Sequence, residues 1–169
     1  KELVYINQEA RHGLWNYISA HFSMIDKVVG NNYTNEPMAF LLEDSEIQEE
    51  IEPYIMARIV DFEEFIRQYP FDIISIHDDL HFIIDDPIME CNCGDFSLRW
   101  DAAGDTILER GGTRGETVRC DIQTLTAMFY GYKRPTYLKR VERLQANDTA
   151  VRILEDIIPI EQPYFSDYF

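Results

Sequence analysis

Apolar residues Ala10, Leu14, Trp15, Tyr17, Ile18 and Phe22 recur at helical spacing, which predicts a helix with one broad buried stripe. Asn7 just before them suits an N-cap, because its side-chain oxygen can accept from an unpaired N–H of the first turn. Glu9 places an acid in that turn, where the helix dipole favours negative charge. Residues 3–6 and 27–29 are apolar enough for short strands, so the first 30 residues read as strand–helix–strand. The Asn- and Pro-containing run 31–37 breaks the pattern, and 38–42 starts a brief helix. Residues 43–53 are acidic and weakly patterned, which places a domain boundary there.

A second unit begins with the strand-like run 54–60. Asp61 and Glu64 follow as a capping-box pattern, with Phe62, Phe65, Ile66 and Tyr69 forming a buried helix face and Pro70 stopping it. Four strands are expected next: 73–76 or 82–85, then 95–100, 106–109 and 117–120. In the second of these Phe96, Leu98 and Trp100 share one face and Ser97 and Arg99 the other. Residues 102–105 read as a hairpin turn. Asp121 caps a helix carrying Ile122, Leu125, Met128 and Phe129, which Gly131 ends. Pro135 opens another helix, and Asn147 caps a third with Ala150, Val151, Leu154 and Ile157 facing inward. Pro159 and Pro163 stop further helix and leave an aromatic tail, 164–169. The pattern predicts an α+β fold, an antiparallel sheet with helices on one side.

Charge changes this picture. Fifteen Lys and Arg stand against 31 Asp and Glu, a net charge of −16, which argues against a nucleic-acid partner. Residues 43–95 hold 16 of the acids and only Arg58 and Arg67. That region reads as a solvated acidic face or as an attractor of a cationic ligand: a polyamine, an aminoglycoside or a lysine-rich segment. An aromatic content of 13% excludes a disordered tail, and no apolar window reaches the ~20 residues of a membrane span. The start lacks an initiator Met, a basic leader and a signal-peptide core, so the chain is expected to be a piece of a longer protein. Cys91, Cys93 and Cys120 cannot all pair within one chain, and such sparse usage fits a reduced, cytoplasmic setting.

Candidate chemistry is thin. His77, His81, Cys91 and Cys93 invite a zinc reading, but their spacing matches no closed knuckle, and a turn with incidental cysteines is preferred. Asp78, Asp79, Asp85 and Asp86 lack the spacing of a calcium loop. The glycine-rich run 110–115 leads into a strand rather than a helix, so a hairpin loop is preferred to a phosphate cradle. Lys133, Arg134, Lys139, Arg140 and Arg143 form one basic patch, read as a solvated helix face or subunit contact before a phosphate site. No enzyme is visible from these residues alone.

Four segments together resemble a known family. They are Ala10-Arg11-His12-Gly13-Leu14-Trp15-Asn16-Tyr17, Met56-Ala57-Arg58-Ile59-Val60-Asp61-Phe62, the helix end Phe129-Tyr130-Gly131-Tyr132, and the terminal Asp167-Tyr168-Phe169. Their order resembles the C-terminal part of the enhanced-intracellular-survival-type acetyltransferases, a branch of the GCN5-related N-acetyltransferases. The resemblance implies that 1–53 ends a second acetyltransferase-like domain, a partial β-α-β segment. Residues 54–169 would then form a sterol-carrier-protein-like domain. It implies acetyl-CoA-dependent transfer to a cationic amine, aminoglycoside- or polyamine-like, with acetyl-CoA held by an N-terminal domain that this sequence lacks, so that this chain alone is inactive. It further implies that the main-chain carboxylate of Phe169 is catalytic, that Asp167 and Tyr168 lie at the substrate, and that the protein is a homo-oligomer such as a hexamer. No metal and no membrane partner is expected. Ala57 departs from the large aromatic found there in many relatives. The alternative is a non-catalytic sterol-carrier-like module that binds an apolar ligand or only builds an oligomer.

Overall fold

The computed structural model describes residues 4–31, 38–42, 46–52, 55–72 and 78–162. The chain divides into two compact units, Lys1–Pro53 and Tyr54–Phe169.

In the first unit, α1 (Gln8–Ser19) starts where Asn7 accepts from the N–H of Ala10 at 2.8 Å, as its type and position require. α2 (Met38–Leu41) is a single turn. The expected stripe on α1 is not buried within this unit: Tyr17 is 68% exposed. Of the runs 3–6 and 27–29, expected as strands, the described residues 4–6 and 27–29 form none, and Val28 and Val29 lie exposed. A strand exists only through its ladder partners, and the described residues of this unit offer none.

The second unit holds α3 (Phe62–Gln68), β1 (Leu80–Asp85), β2 (Gly94–Trp100), β3 (Thr106–Arg110), β4 (Glu116–Asp121), α4 (Ile122–Phe129), α5 (Pro135–Arg140), β5 (Gln145–Ala146) and α6 (Asp148–Ile157). Three of its helices carry the anticipated caps: Asp61 accepts from Glu64 N–H at 3.0 Å, Asp121 from Thr124 at 2.7 Å and Asn147 from Ala150 at 2.8 Å. Each satisfies a donor that the helix itself leaves free. The strand candidate 73–76 lies outside the described residues.

The sheet runs in the order β3-β2-β1-β4-β5. It is mixed rather than antiparallel, because β1 pairs in parallel with β4, Leu80 opposite Glu116 and Asp85 opposite Asp121. The glycine-rich run is the reason. Leu80 is level with Leu98, Leu108 and Glu116, so β3 and β4 point the same way with β2 and β1 between them. Crossing three inter-strand gaps means covering roughly 14 Å, and the stretch from Arg110 to Glu116 reaches up to about 20 Å. Residues 111–115 are therefore a strap laid across the sheet, not a hairpin loop. A side chain at Gly112 would put its Cβ 2.5 Å from that of Ser97, and one at Gly115 (φ +108°) would overlap the carbonyl of Asp79. Ser97 Oγ donates to the carbonyl of Arg114 at 2.8 Å, and Glu116 N–H to that of Asp79 at 2.8 Å, which ties the strap down.

The opposite sheet face is the core. Leu80, Phe82, Phe96, Leu98 and Val118 are fully buried against α3, α4 and α6, with Phe62 edge-on to Phe82 and Phe96 at 5.8 and 5.0 Å. Residues 55–59, read as strand, form none. Here side chains take the backbone groups: Ile59 N–H donates to Thr126 Oγ1 at 3.2 Å, and Asn92 Nδ2 donates to Val60 C=O at 3.3 Å. Asn92 Oδ1 accepts from Phe62 N–H at 2.9 Å, and Arg58 reaches the buried carboxylate of Asp86.

Candidate functional site

The residues singled out for chemistry, Asp167, Tyr168 and Phe169, lie outside the described residues. The structure does describe the ground from which they depart. α6 ends at Ile157, and a helix end leaves its last carbonyls without partners. Arg134, the residue before α5, supplies them. Its guanidinium donates to the carbonyls of Glu155 (2.7 Å), Ile158 (2.9 Å) and Pro159 (3.0 Å) and to Glu155 Oε2 (2.7 Å). Glu155 Oε1 in turn accepts from Thr136 N–H at 2.8 Å. Burial raises the affinity of Glu155 for a proton, but the hydrogen bonds from Thr136 and Arg134 outweigh it and hold the carboxyl below its usual range.

Gly131 (φ +71°), in the same α4–α5 connection as Arg134, closes on the next stretch of the segment. A Cβ there would overlap the carbonyl oxygen of Glu161, so only glycine allows this approach. Asp72 N–H donates to Ile157 C=O at 2.9 Å. Tyr69 OH donates to Phe129 C=O at 2.8 Å. Burial pushes the Tyr69 phenol up to about 12, with Arg134 pulling the other way and Asp72 and Glu161 adding to the rise. Around Tyr69 the aromatic rings of Phe71 (4.7 Å), Phe129 (5.0 Å) and Phe65 (5.4 Å) form a rigid floor. An open groove of about 420 Å³ lies beside it, lined by residues 58–61, α3 and Tyr130. Residues 158–162 thus leave the domain from a fixed place.

The sequence offered Gly131 only as a helix stop and Arg134 only as part of a basic patch. That patch is dispersed by pairing: Arg134 with Glu155, Lys139 with Asp148 and Arg143 with Asp121, while Lys133 and Arg140 lie over the rings of Tyr132 and Tyr137. The signal missed was the partner, 21 to 30 residues further along the chain.

The remaining candidates separate as well. His81 Nε2 meets Asp95 Oδ1 at 2.7 Å, Cys93 Sγ hydrogen-bonds the backbone of Asp86, and Cys91 is exposed. His77 lies outside the described residues, among which no three His, Cys, Asp or Glu converge as metal ligands. Asp79 pairs with Arg114, and Asp86 is buried with Arg58, away from any shared site. Cys120 is buried, and burial pushes its thiol up, with Asp121 adding to the shift. The strap 111–115 runs into β4 and not into a helix, so it does not form a phosphate cradle at a helix N-terminus. No helix among them is long and apolar enough to cross a membrane.

Known proteins share this architecture. An acetyltransferase (GNAT) domain matches residues 1–59. A structure from Enterococcus faecalis V583, a conserved protein of unknown function described as a probable N-acyltransferase, superposes with a TM-score of 0.81 at 28% identity, over 99% of this chain and 42% of that one. A GCN5-related N-acetyltransferase from Anabaena variabilis does so with 0.69 at 26% identity, over 95% and 40%. Eis1 from Mycobacterium abscessus shares the fold, with 0.65 at 17% identity over 98% and 41%. The chain spans about two fifths of the length of these structures. No curated protein is significantly similar to it. Residues 62–166, more than half of the chain, match the sterol carrier protein domain, and the chain belongs to that family.

Proposed function

We propose that this chain is the C-terminal part of an acetyl-CoA-dependent N-acetyltransferase of the enhanced-intracellular-survival type, acting on cationic amines such as polyamines or aminoglycosides. The observation that carries this is the likeness, along 99% of the chain, to the Enterococcus protein described as a probable N-acyltransferase. In this reading 1–53 ends an acetyltransferase-like domain, and 54–169 is a sterol-carrier-like domain that serves as an oligomer scaffold and presents the C-terminus. The protein works in the cytoplasm as a homo-oligomer, with neither nucleic acid nor membrane as partner.

The chemistry asked of the tail is proton removal. An amine attacks an acyl carbon only when neutral, so a base must accept a proton from the ammonium, directly or through water. The α-carboxylate of Phe169 is ionised at neutral pH and attracts the cation, with Asp167 and Tyr168 lining its approach. The pinned segment 155–161 supports this, because a fraying end could not hold a base in place. The acidic excess of residues 43–95 is in keeping with a cationic substrate. In this reading acetyl-CoA is bound elsewhere in the longer protein.

The test is acetyl transfer by the full-length protein to spermidine and kanamycin, followed by thiol release, beside calorimetric titration of acetyl-CoA into this chain alone. Turnover by the former and no binding by the latter is expected. No transfer to any amine, with uptake of a fluorescent fatty acid instead, would favour the carrier module.

A further inference from the structure

We infer that the C-terminal ends of the parallel pair β1 and β4 form a binding site for a small diamino carboxylate of the lysine or ornithine kind, independent of the acetyltransferase reading. The strap covers the other end of this pair, where Gly115 meets Asp79, and a groove of about 450 Å³ lies open at this one. That size suits a small molecule. Ile83 lies level with Arg119, Asp85 with Asp121, and Gln145 of β5 with Arg119. By alternation these residues rise from the sheet face opposite the core, and they share the groove with Glu142 and Arg143. Arg143 is already engaged, donating to Asp121 Oδ2 at 3.1 Å and to Thr124 Oγ1 at 3.2 Å. Arg119 is not. The other arginines and lysines described in this unit meet a carboxylate or an aromatic ring, apart from Arg152 on α6. Arg119 thus stays unpaired in a chain with 31 acids, although Asp85 is its diagonal neighbour, roughly 8 Å away between Cα atoms. Asp85 and Glu142 likewise have no partner for their carboxylates among the described residues. Glu142 holds a left-handed backbone, φ +60°, just past α5, where glycine would sit without strain. What glutamate adds there is a carboxylate at the groove wall. A guanidinium fork matches a carboxylate through two parallel hydrogen bonds. The two free carboxylates repel a phosphate and attract ammonium groups. With Arg143 and Asp121 cancelling each other, the groove presents one positive and two negative charges. One carboxylate and two ammonium groups complement it.

The experiment is calorimetric titration of the full-length protein with L-lysine, cadaverine and inorganic phosphate. Lysine should bind at least tenfold more tightly than cadaverine, which lacks the carboxylate, and than phosphate, which lacks the ammonium groups. Arg119→Gln should weaken lysine at least tenfold and leave cadaverine unchanged. Asp85→Asn should weaken both. Glu142→Gly separates binding from folding, because relief of the left-handed backbone should raise the melting temperature while lysine affinity falls. All three positions are exposed, so circular dichroism should show an unchanged fold. Absence of heat with lysine up to ~10 mM would overturn the inference. Equal lysine affinity in wild type and Arg119→Gln would overturn it too, since an amine site elsewhere in the protein would not feel this substitution. Tighter binding of phosphate than of lysine would also refute it and mark the groove as an anion site.

Discussion

Replacing Asp86 by alanine tests the packing that joins residues 58–62 to the sheet. Its side chain is fully buried, and Oδ1 accepts from Arg58 Nη2 at 2.5 Å, Ile88 N–H at 2.9 Å and Met89 N–H at 3.0 Å, while Oδ2 accepts from Asn92 Nδ2 at 2.9 Å. Alanine would strand a half-buried guanidinium and leave two backbone donors unpaired. It would also free Asn92, which holds Phe62 N–H and Val60 C=O. Removing one partner of a buried pair costs about 3–5 kcal/mol. A domain of this size has roughly 5–15 kcal/mol in total, so the loss is a large share. Urea unfolding followed by tryptophan fluorescence should show that loss with an unchanged denaturant slope. The pH dependence carries a sign. Burial raises the Asp86 carboxyl, but the hydrogen bonds from Asn92, Ile88, Met89 and Arg58 together hold it well below the usual carboxylate range. A group depressed on folding contributes fully above its unfolded pKa, about 3.9, and loses that contribution as pH falls towards the folded value. The gap between wild type and Asp86→Ala should therefore be full at pH 6 and shrink below pH 4. A loss under ~1 kcal/mol, or a gap that does not narrow in acid, would refute the reasoning.

Three further outcomes follow from the same structure. Gly115→Ala, with its Cβ against the Asp79 carbonyl at positive φ, should cost more than about 2 kcal/mol, whereas Gly104→Ala, at positive φ in open space, should cost ~1 kcal/mol in parallel urea melts. Tyr69→Phe should lose about 1 kcal/mol at pH 8. The wild-type phenol is raised on folding, so its contribution is present below pH 10 and lost as pH climbs towards 12; alkaline melts of the pair should converge there. Cys91 should react with a thiol reagent in the native protein at a rate typical of a free cysteine, and buried Cys120 only on unfolding, read by mass spectrometry of the labelled peptides.

What the sequence made legible was local. Asp61, Asp121 and Asn147 cap their helices because cap and first turn lie within three residues of each other. Alternation of Phe96, Leu98 and Trp100 with Ser97 and Arg99 marks β2. Apolar runs mark β3, β4 and, for β1, one of two positions, 73–76 or 82–85. Such patterning records which face is buried. It does not record the direction of the neighbouring strand, so the parallel β1–β4 pair stayed hidden. The strap's glycines are required by Ser97 and Asp79, residues distant in sequence, and read alone they looked like a loop. Residues 55–59 are apolar like a strand, yet Thr126 and Asn92 claim backbone groups at Ile59 and Val60. Arg134 and Gly131 escaped notice for the same reason: each is defined by a carbonyl 21 to 30 residues further along the chain, in α6 or just beyond it.

The central claim, that the chain's last carboxylate serves as the base, is tested most directly by appending one glycine after Phe169 in the full-length protein. The addition moves the carboxylate by up to ~3.6 Å and changes nothing else in the chain. Because a displacement of 1 Å at a reacting centre can cost on the order of 100-fold, kcat for spermidine should fall at least that far while the melting temperature holds. Undiminished turnover in a folded variant would contradict the account.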